Sequence, residues 1–378
     1  MTTAWTAAHV AAIADLPLPA LDLIGEAEAA RILPDLLLWD MWPLQLPDGR
    51  IAPVNGGSLW MVLAAPDRGD PMLRHFDAKI RLLHLDGAGW HDLGNMLPPG
   101  LGDHEREWSG SAVLEGNAVT LYFTAAGYAA NPGGFQQRLV QTKGKLQADG
   151  RITGWTPVRE CFAADGATYL LADRHEGAPG TVKAFRDPAF FIDPVDGARY
   201  LAFTASLAAS DSAFNGAVGL ARMGAAGQWH LLPPVVHADT LNNELERAQI
   251  IAHQGQYYVF WSTQRSVFAP DGPSGPTGFY GMVADTLSGP WRPLNGTGLV
   301  IANPETEPMQ AFSWYVTAEL LVCSFVDHWG LKGRDPAQSA FTTADTFAGT
   351  PAPMVWIALD GETSRLVEQF PMDRLHVR

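Results

Sequence analysis

Three carboxylates stand where a folded chain seldom leaves one. Asp40 lies between two tryptophans at the end of an apolar run, LLLWDMWP (36–43). Asp187 follows Arg186 in FRDPAFF, and Glu246 precedes Arg247 in ELERAQ, with Glu244 two positions earlier. A charge beside an apolar strand is costly unless it is paired, neutralised or used. Taken alone, each acid has an ordinary reading. Asp40 could bond backbone at a strand start, Asp187 could be a turn acid paired with Arg186, and Glu244 and Glu246 could form a solvated group with Arg247. Taken together, three acids, two arginines and several tryptophans suit carbohydrate chemistry. Cleaving a glycosidic bond takes one carboxylate as nucleophile or base and one carboxylic acid as proton donor. Aromatic faces cover the apolar side of a sugar, while acids and arginines bond its hydroxyls.

Other chemistries find no footing. The chain has no phosphate-binding glycine loop, no dinucleotide fingerprint, no HExxH pair and no GxSxG elbow. Cys161 and Cys323, 162 positions apart, show no CxxC or Cys/His spacing. They are expected to be free, buried thiols, and neither a metal nor a cofactor is expected. His104, His175, His253 and His328 lack ligand spacing and read as structural or surface residues. A net charge of −15, from 25 basic and 40 acidic residues, argues against nucleic acid and anionic membrane as partners and leaves a neutral small molecule. The N-terminal residues have no basic n-region and no long apolar core, so no cleavable signal peptide is expected, and no stretch approaches a membrane-spanning length. The expected location is the cytoplasm, or outside the cell by a route without such a peptide.

The elements that must position these acids are β-strands. Residues 1–33 read as a helical, peripheral segment, with AEAARIL (27–33) as its best short helix, stopped before Pro34. Beyond it, apolar runs alternate with Gly, Pro, Asp and Asn. One pattern, a polar residue followed by two apolar strands around a turn, occurs five times, starting at Trp39, Glu107, Phe185, Leu245 and Met309. The starts lie 68, 78, 60 and 64 residues apart, room for a four-stranded sheet in each repeat. Further strand candidates, KIRLLHLD, QRLVQTKGKLQ, AVGLARMG and GFYGMVAD, fall between the copies. The expected fold is therefore all-β: a five-bladed propeller over residues 34–378 as a single catalytic domain, with residues 1–33 packed on it. The first strand of each blade would line the central channel. That places Asp40, Trp108–Ser109, Arg186–Asp187, Glu246–Arg247 and Gln310 at one mouth.

The stretches WDMWPL, EWSGS, FRDPAFF, ELERAQ and NGTGLVIANP…MQAFSWYV, in this order from about Leu33 onward, resemble glycoside hydrolase family 68, the levansucrase, inulosucrase and β-fructofuranosidase family. The resemblance implies a five-bladed propeller that cleaves sucrose by a retaining double displacement. It implies Asp40 as the nucleophile that forms a fructosyl ester, Glu246 as the acid and then the base, and Asp187 as the transition-state stabiliser. Trp39, Trp108, Ser109, Arg186, Glu244 and Arg247 match positions that line the sugar subsites. Two positions depart from the pattern. Gln264 stands where polymer-forming members commonly carry Arg or His, and Phe312 stands where Tyr is usual. A neutral amide holds an acceptor differently from a charged side chain, so the expected outcome is mainly hydrolysis with some fructo-oligosaccharide. A fructan-forming transferase is the alternative, and a non-catalytic sugar-binding propeller a more distant one.

Overall fold

Each repeat is a blade whose first two strands are the apolar runs recognised in the sequence. The computed structural model describes residues 2–172, 182–334 and 343–370. The inner hairpins are Leu36–Gln45 with Gly57–Pro66, Arg106–Glu115 with Ala118–Ala126, Phe185–Ile192 with Arg199–Ser206, Glu246–His253 with Gln256–Thr263, and Ala311–Val316 with Leu321–His328. The four strands expected between the copies are the third strands of blades one to four: Lys79–Asp86, Gln137–Leu146, Gly216–Met223 and Gly278–Ala284. Pairing is antiparallel within every blade, and each blade takes its main strands from consecutive chain. The result is the expected five-bladed propeller.

Turn chemistry explains why these hairpins close where they do. Gln254–Gly255, which closes the inner hairpin of blade four, and Asn55–Gly56, which turns the short strand Pro53–Val54 into Gly57–Pro66, both take left-handed φ values, 51° and 80°, and 50° and 77°, as a two-residue hairpin turn requires. Blade five lacks such a pair. There Leu320 itself adopts φ 70°, its amide bonded to Thr317 O at 2.9 Å while its side chain is buried in the core. Burial of that side chain offsets a backbone cost of about 1–2 kcal/mol.

Residues before the first blade form a strap across the propeller that carries a short helical segment. Thr3–Ala4 pairs with Val236–His237 on the outer strand of blade three. Trp5 is buried against Trp261 and Tyr280 of blade four, and its Nε1 donates to Thr297 O at 2.9 Å. Ala20 bridges to Ala302, the Gln310 amide of blade five bonds Asp22 O and Ile24 N, and Arg31 reaches Asp67 of blade one. A short helix is present, but at Ala7–Ala11. AEAARIL is a set of turns and not the expected helix. Seven residues are too few to nucleate alone, and their polar groups are spent on blade five: Arg31 Nε on Ala348 O, and the Ile32 amide and Ala30 carbonyl on Thr350 Oγ1. Among the described residues no helix is long and apolar enough to cross a membrane.

Candidate active site

All five inner strands break register at the same level. The pairing skips Asp40 in blade one, Ser109 in blade two, Asp187–Pro188 in blade three, Arg247–Ala248 in blade four and Ser313–Trp314 in blade five. Four of these bulge residues have left-handed φ: Asp40 at 35°, Asp187 at 59°, Arg247 at 55° and Ser313 at 59°. None is glycine, so each costs free energy, on the order of 1–3 kcal/mol. A bulge re-aims one side chain out of the pleat, and here the repeated bulge builds a ring of polar groups around one mouth.

Hydroxyls from the preceding blade hold three of the bulges. The Asp187 amide donates to Thr124 Oγ1 at 2.8 Å, the Arg247 amide to Thr204 Oγ1 at 3.0 Å and the Trp314 amide to Ser262 Oγ at 2.9 Å. Each hydroxyl sits on a second strand, opposite the residue just before that blade's own bulge. The same positions in blades one and five are Leu63 and Phe325, which line the pocket wall instead.

The bulges open onto a pocket of about 670 Å³ bordered by all ten residues expected in the site. Ser109 Oγ donates a short hydrogen bond to Asp40 Oδ2. Thr204 Oγ1 donates to Asp187 Oδ2 at 3.1 Å, and Arg186 Nε lies 3.6 Å from that same oxygen. Arg186 Nη2 is 2.6 Å from both Glu244 Oε1 and Glu246 Oε1. Trp39 and Trp108 flank His75, whose carbonyl accepts the Trp108 Nε1 proton at 3.3 Å. Gln264 borders the rim, where its Oε1 accepts from Ser266 Oγ at 3.3 Å. Arg247 serves as a brace. Its Nη2 donates to Met41 O at 2.9 Å, and its guanidinium lies over Trp42 and Tyr315.

Burial and like charge split the acids into different protonation ranges. Burial, helped by the charges of Glu244 and Asp187, pushes Glu246 up to about 8 against the pull of Arg186. Burial likewise raises Asp187 to about 6; Arg186 and Arg247 oppose this and the Asp40 charge adds to it. Burial works against the charge on Arg186, but Glu244, Glu246 and Asp187 outweigh it and raise its pKa. His75 is held well below the ordinary histidine value by burial and by Arg74, Arg186 and Arg106. At neutral pH the pocket therefore offers a protonated carboxyl on Glu246, able to give a proton, and an Asp40 carboxyl oriented by a serine.

Sequence reasoning missed part of the wall. Pro71–Leu73 and Arg74–Asp77, two short helical turns between the second and third strands of blade one, supply Met72, Arg74, His75 and Phe76. Phe135, Ser313, Asp327 and His328 also border it. Asp327 had a signal: like Asp40, it follows an apolar run in the sequence, in LVCSFVD. The loop residues had none. Gln310 is not at the channel mouth, because its amide is committed to the N-terminal strap, and Ser313 takes its place. His328, expected to be structural or surface, borders the pocket, with its Nδ1 2.7 Å from Thr346 Oγ1. His104 and His253 pack against Phe123 and Tyr258; His175 lies outside the described residues. Cys161 and Cys323 are free, the first partly and the second fully buried. A second cavity, of about 400 Å³, is bordered by later residues of the inner strands, among them Phe191, Ile251 and Val316, and holds none of these acids.

Comparison with known proteins agrees with this geometry. The profile of a family described as Levansucrase/Invertase matches residues 1–219 and 210–372. A levansucrase from Erwinia amylovora is 30% identical over 89% of this chain and 87% of its own length. The structure of an inulosucrase from Halalkalicoccus jeotgali, bound to kestose, superposes with a TM-score of 0.88 at 34% identity, covering 99% of this chain and 97% of that one. A β-fructofuranosidase from Microbacterium saccharophilum K-1 superposes with a TM-score of 0.81 at 25% identity, over 97% and 83% of the two chains.

Proposed function

The chain belongs to the levansucrase and invertase family, enzymes that transfer or hydrolyse fructosyl groups, and from that premise and the pocket geometry we propose that it splits sucrose by a retaining double displacement and passes the fructosyl group mainly to sugar acceptors. One observation carries the reading. Asp40, Asp187 and Glu246 meet in one pocket, and Glu246 is the acid held protonated near neutral pH.

In the first step an Asp40 carboxylate oxygen attacks the anomeric carbon of the fructosyl unit. The bond to the glycosidic oxygen breaks, and Glu246 gives its proton to that oxygen as glucose leaves. The new bond is an ester between Asp40 and fructose. Positive charge that develops on the fructosyl ring in the transition state is favoured by the anionic wall, and Asp187 holds ring hydroxyls. Arg186 fixes Glu246, and Ser109 aims Asp40. In the second step Glu246, now ionised, takes a proton from an acceptor hydroxyl. The acceptor oxygen attacks the anomeric carbon and the Asp40 carboxylate is released. Trp39 and Trp108 cover the sugar, and Glu244 and Arg247 complete the wall. The propeller from residue 34 on is the catalytic unit.

Hydrolysis is the second reading, and Gln264 favours it, because water needs no positioned acceptor site. The names of the similar proteins, mostly fructan-forming enzymes, weigh toward transfer over the mainly hydrolytic outcome expected from Gln264. The test is incubation with sucrose and separate assay of free glucose and free fructose. Glucose in excess, with the missing fructose recovered in larger saccharides, is the expected result. Equal amounts would make the enzyme a hydrolase, and no glucose would overturn sucrose cleavage altogether.

A further inference from the structure

The proposed mechanism leaves one buried acid of the pocket without a task. Asp327 is the next-to-last residue of the second strand of blade five and is 6% exposed. Asp40, Asp187, Glu244 and Glu246 each have a side-chain hydrogen-bond partner. Among the described residues the Asp327 carboxylate has none; its nearest basic nitrogen is His328 Nε2, 3.8 Å from Oδ1. A buried carboxylate left unbonded carries a large desolvation cost.

Arg74, contributed by blade one, is its complement on the same wall. Its Nη1 donates to Pro71 O at 2.8 Å, and its guanidinium lies 4.4 Å over Phe347 and 5.5 Å over Trp39. Its Nε is buried with no hydrogen-bond partner. Asp327 and Asp40 are the negative charges that act on it most strongly. Two opposite charges thus face one pocket without bonding each other, each with unused hydrogen-bonding capacity. A carboxylate only accepts and a guanidinium only donates. A sugar hydroxyl does both, so neighbouring hydroxyls can give a proton to the first and receive one from the second.

We propose that Asp327 and Arg74 form a clamp for hydroxyls of the bound fructosyl unit. The clamp rests on the proposed sucrose reading. It gives a task to a carboxylate that lines the pocket together with the apolar Leu63, Phe312 and Phe325. Occupation by the sugar supplies the bonds missing at the Asp327 carboxylate.

The experiment is a double-mutant cycle between residue and substrate. The full-length parent, Asp327→Asn and Asp327→Ala are assayed on sucrose and on sucrose analogues that each lack one fructosyl hydroxyl. Asp327→Ala is expected to lower kcat/KM for sucrose by on the order of 10–100-fold, the range for a hydrogen bond to a charged group. One deoxy analogue should then lose its penalty in this variant while the others keep theirs, and Arg74→Gln should erase the penalty of the same or the adjacent hydroxyl. Should Asp327→Ala fail to fold, the nearly isosteric Asp327→Asn, whose neutral amide accepts more weakly than a carboxylate, should shrink the penalty of that same analogue and leave the others. Unchanged penalties for every analogue, in a parent that cleaves sucrose, would overturn the clamp and leave the function standing. A parent inactive on sucrose would overturn the function and the clamp with it.

Discussion

Arg186 holds Glu246 by a single nitrogen, Nη2, at 2.6 Å, and the same nitrogen holds Glu244 at 2.6 Å. The proposed proton donor is therefore tuned from two sides with opposite sign. Glu244 raises its pKa and Arg186 lowers it, within a buried site that already favours the neutral acid.

That balance makes a pH prediction. Cleavage needs protonated Glu246, so kcat/KM should be lost as pH rises through its pKa, placing the alkaline limb near 8. Replacing Glu244 by Gln removes a charge that raises this pKa, and the limb should move to lower pH. Replacing Arg186 by Gln removes a charge that lowers it, and the limb should move to higher pH even as the overall rate falls. Initial rates on sucrose between pH 5 and 10 decide the matter. Shifts in the same direction for both variants would remove Glu246 as the titrating donor.

The Ser109–Asp40 hydrogen bond leads to a graded pair of variants. Asp40→Asn keeps the shape but cannot form the ester, so turnover should vanish with the melting temperature nearly unchanged. Ser109→Ala leaves the carboxylate present but unaimed, and kcat should fall by about 10–100-fold, the range for one hydrogen bond to a charged group. A mass-spectrometric search for a fructosyl adduct after rapid acid quench should find it in the parent and not in Asp40→Asn. An adduct on another residue would reassign the nucleophile.

How much of this was readable beforehand depended on which residues lay in regular strands. The inner and third strands were legible because their apolar runs and turns repeat, and the paired motifs around Asp40, Asp187 and Glu246 stood out as charges inside those runs. The bulges were not legible. A residue skipped in the pairing leaves no mark in an alternating pattern, so the sequence points to Gln310 for the fifth position, which Ser313 holds. Nor was the wall formed by Arg74 and His75, since they lie on short helical turns whose place over Trp39 is decided by tertiary packing. AEAARIL departs from its helical pattern for the same reason: local helix preference yielded to bonds with blades one and five.

Thr204 tests whether the bulges matter to the chemistry. Its Oγ1 accepts the Arg247 amide at 3.0 Å and donates to Asp187 Oδ2 at 3.1 Å, joining the bulge of blade four to an acid of blade three. Thr204→Val removes both bonds with little change of shape. It leaves a buried amide without its acceptor, which costs about 1–3 kcal/mol, so the denaturation midpoint should fall. Because Asp187 also loses its fixed orientation, kcat should drop by on the order of tenfold or more. Thr204→Ser, which keeps the oxygen, should restore most of both. A Val variant that loses stability and keeps its kcat would reduce the ring of hydroxyls to a structural role.

Gln264 decides between the two fates of the fructosyl ester. An acceptor sugar must be held with one hydroxyl aimed at the anomeric carbon, whereas water arrives without being held. Gln264 stands at the pocket rim with its carbonyl oxygen already engaged by Ser266 Oγ. A charged side chain there can form stronger hydrogen bonds to an acceptor than a neutral amide. Gln264→Arg and Gln264→His should therefore raise the fraction of fructose transferred at a fixed sucrose concentration, with cleavage itself altered less than tenfold. The gain is limited to about 1.5–3 kcal/mol, the contribution of one charge-assisted bond. The measurement is the ratio of free fructose to free glucose in parent and variants under identical conditions. If the parent already transfers nearly all its fructose, and neither substitution moves the ratio, the acceptor is held by other residues of the wall and Gln264 does not set the balance.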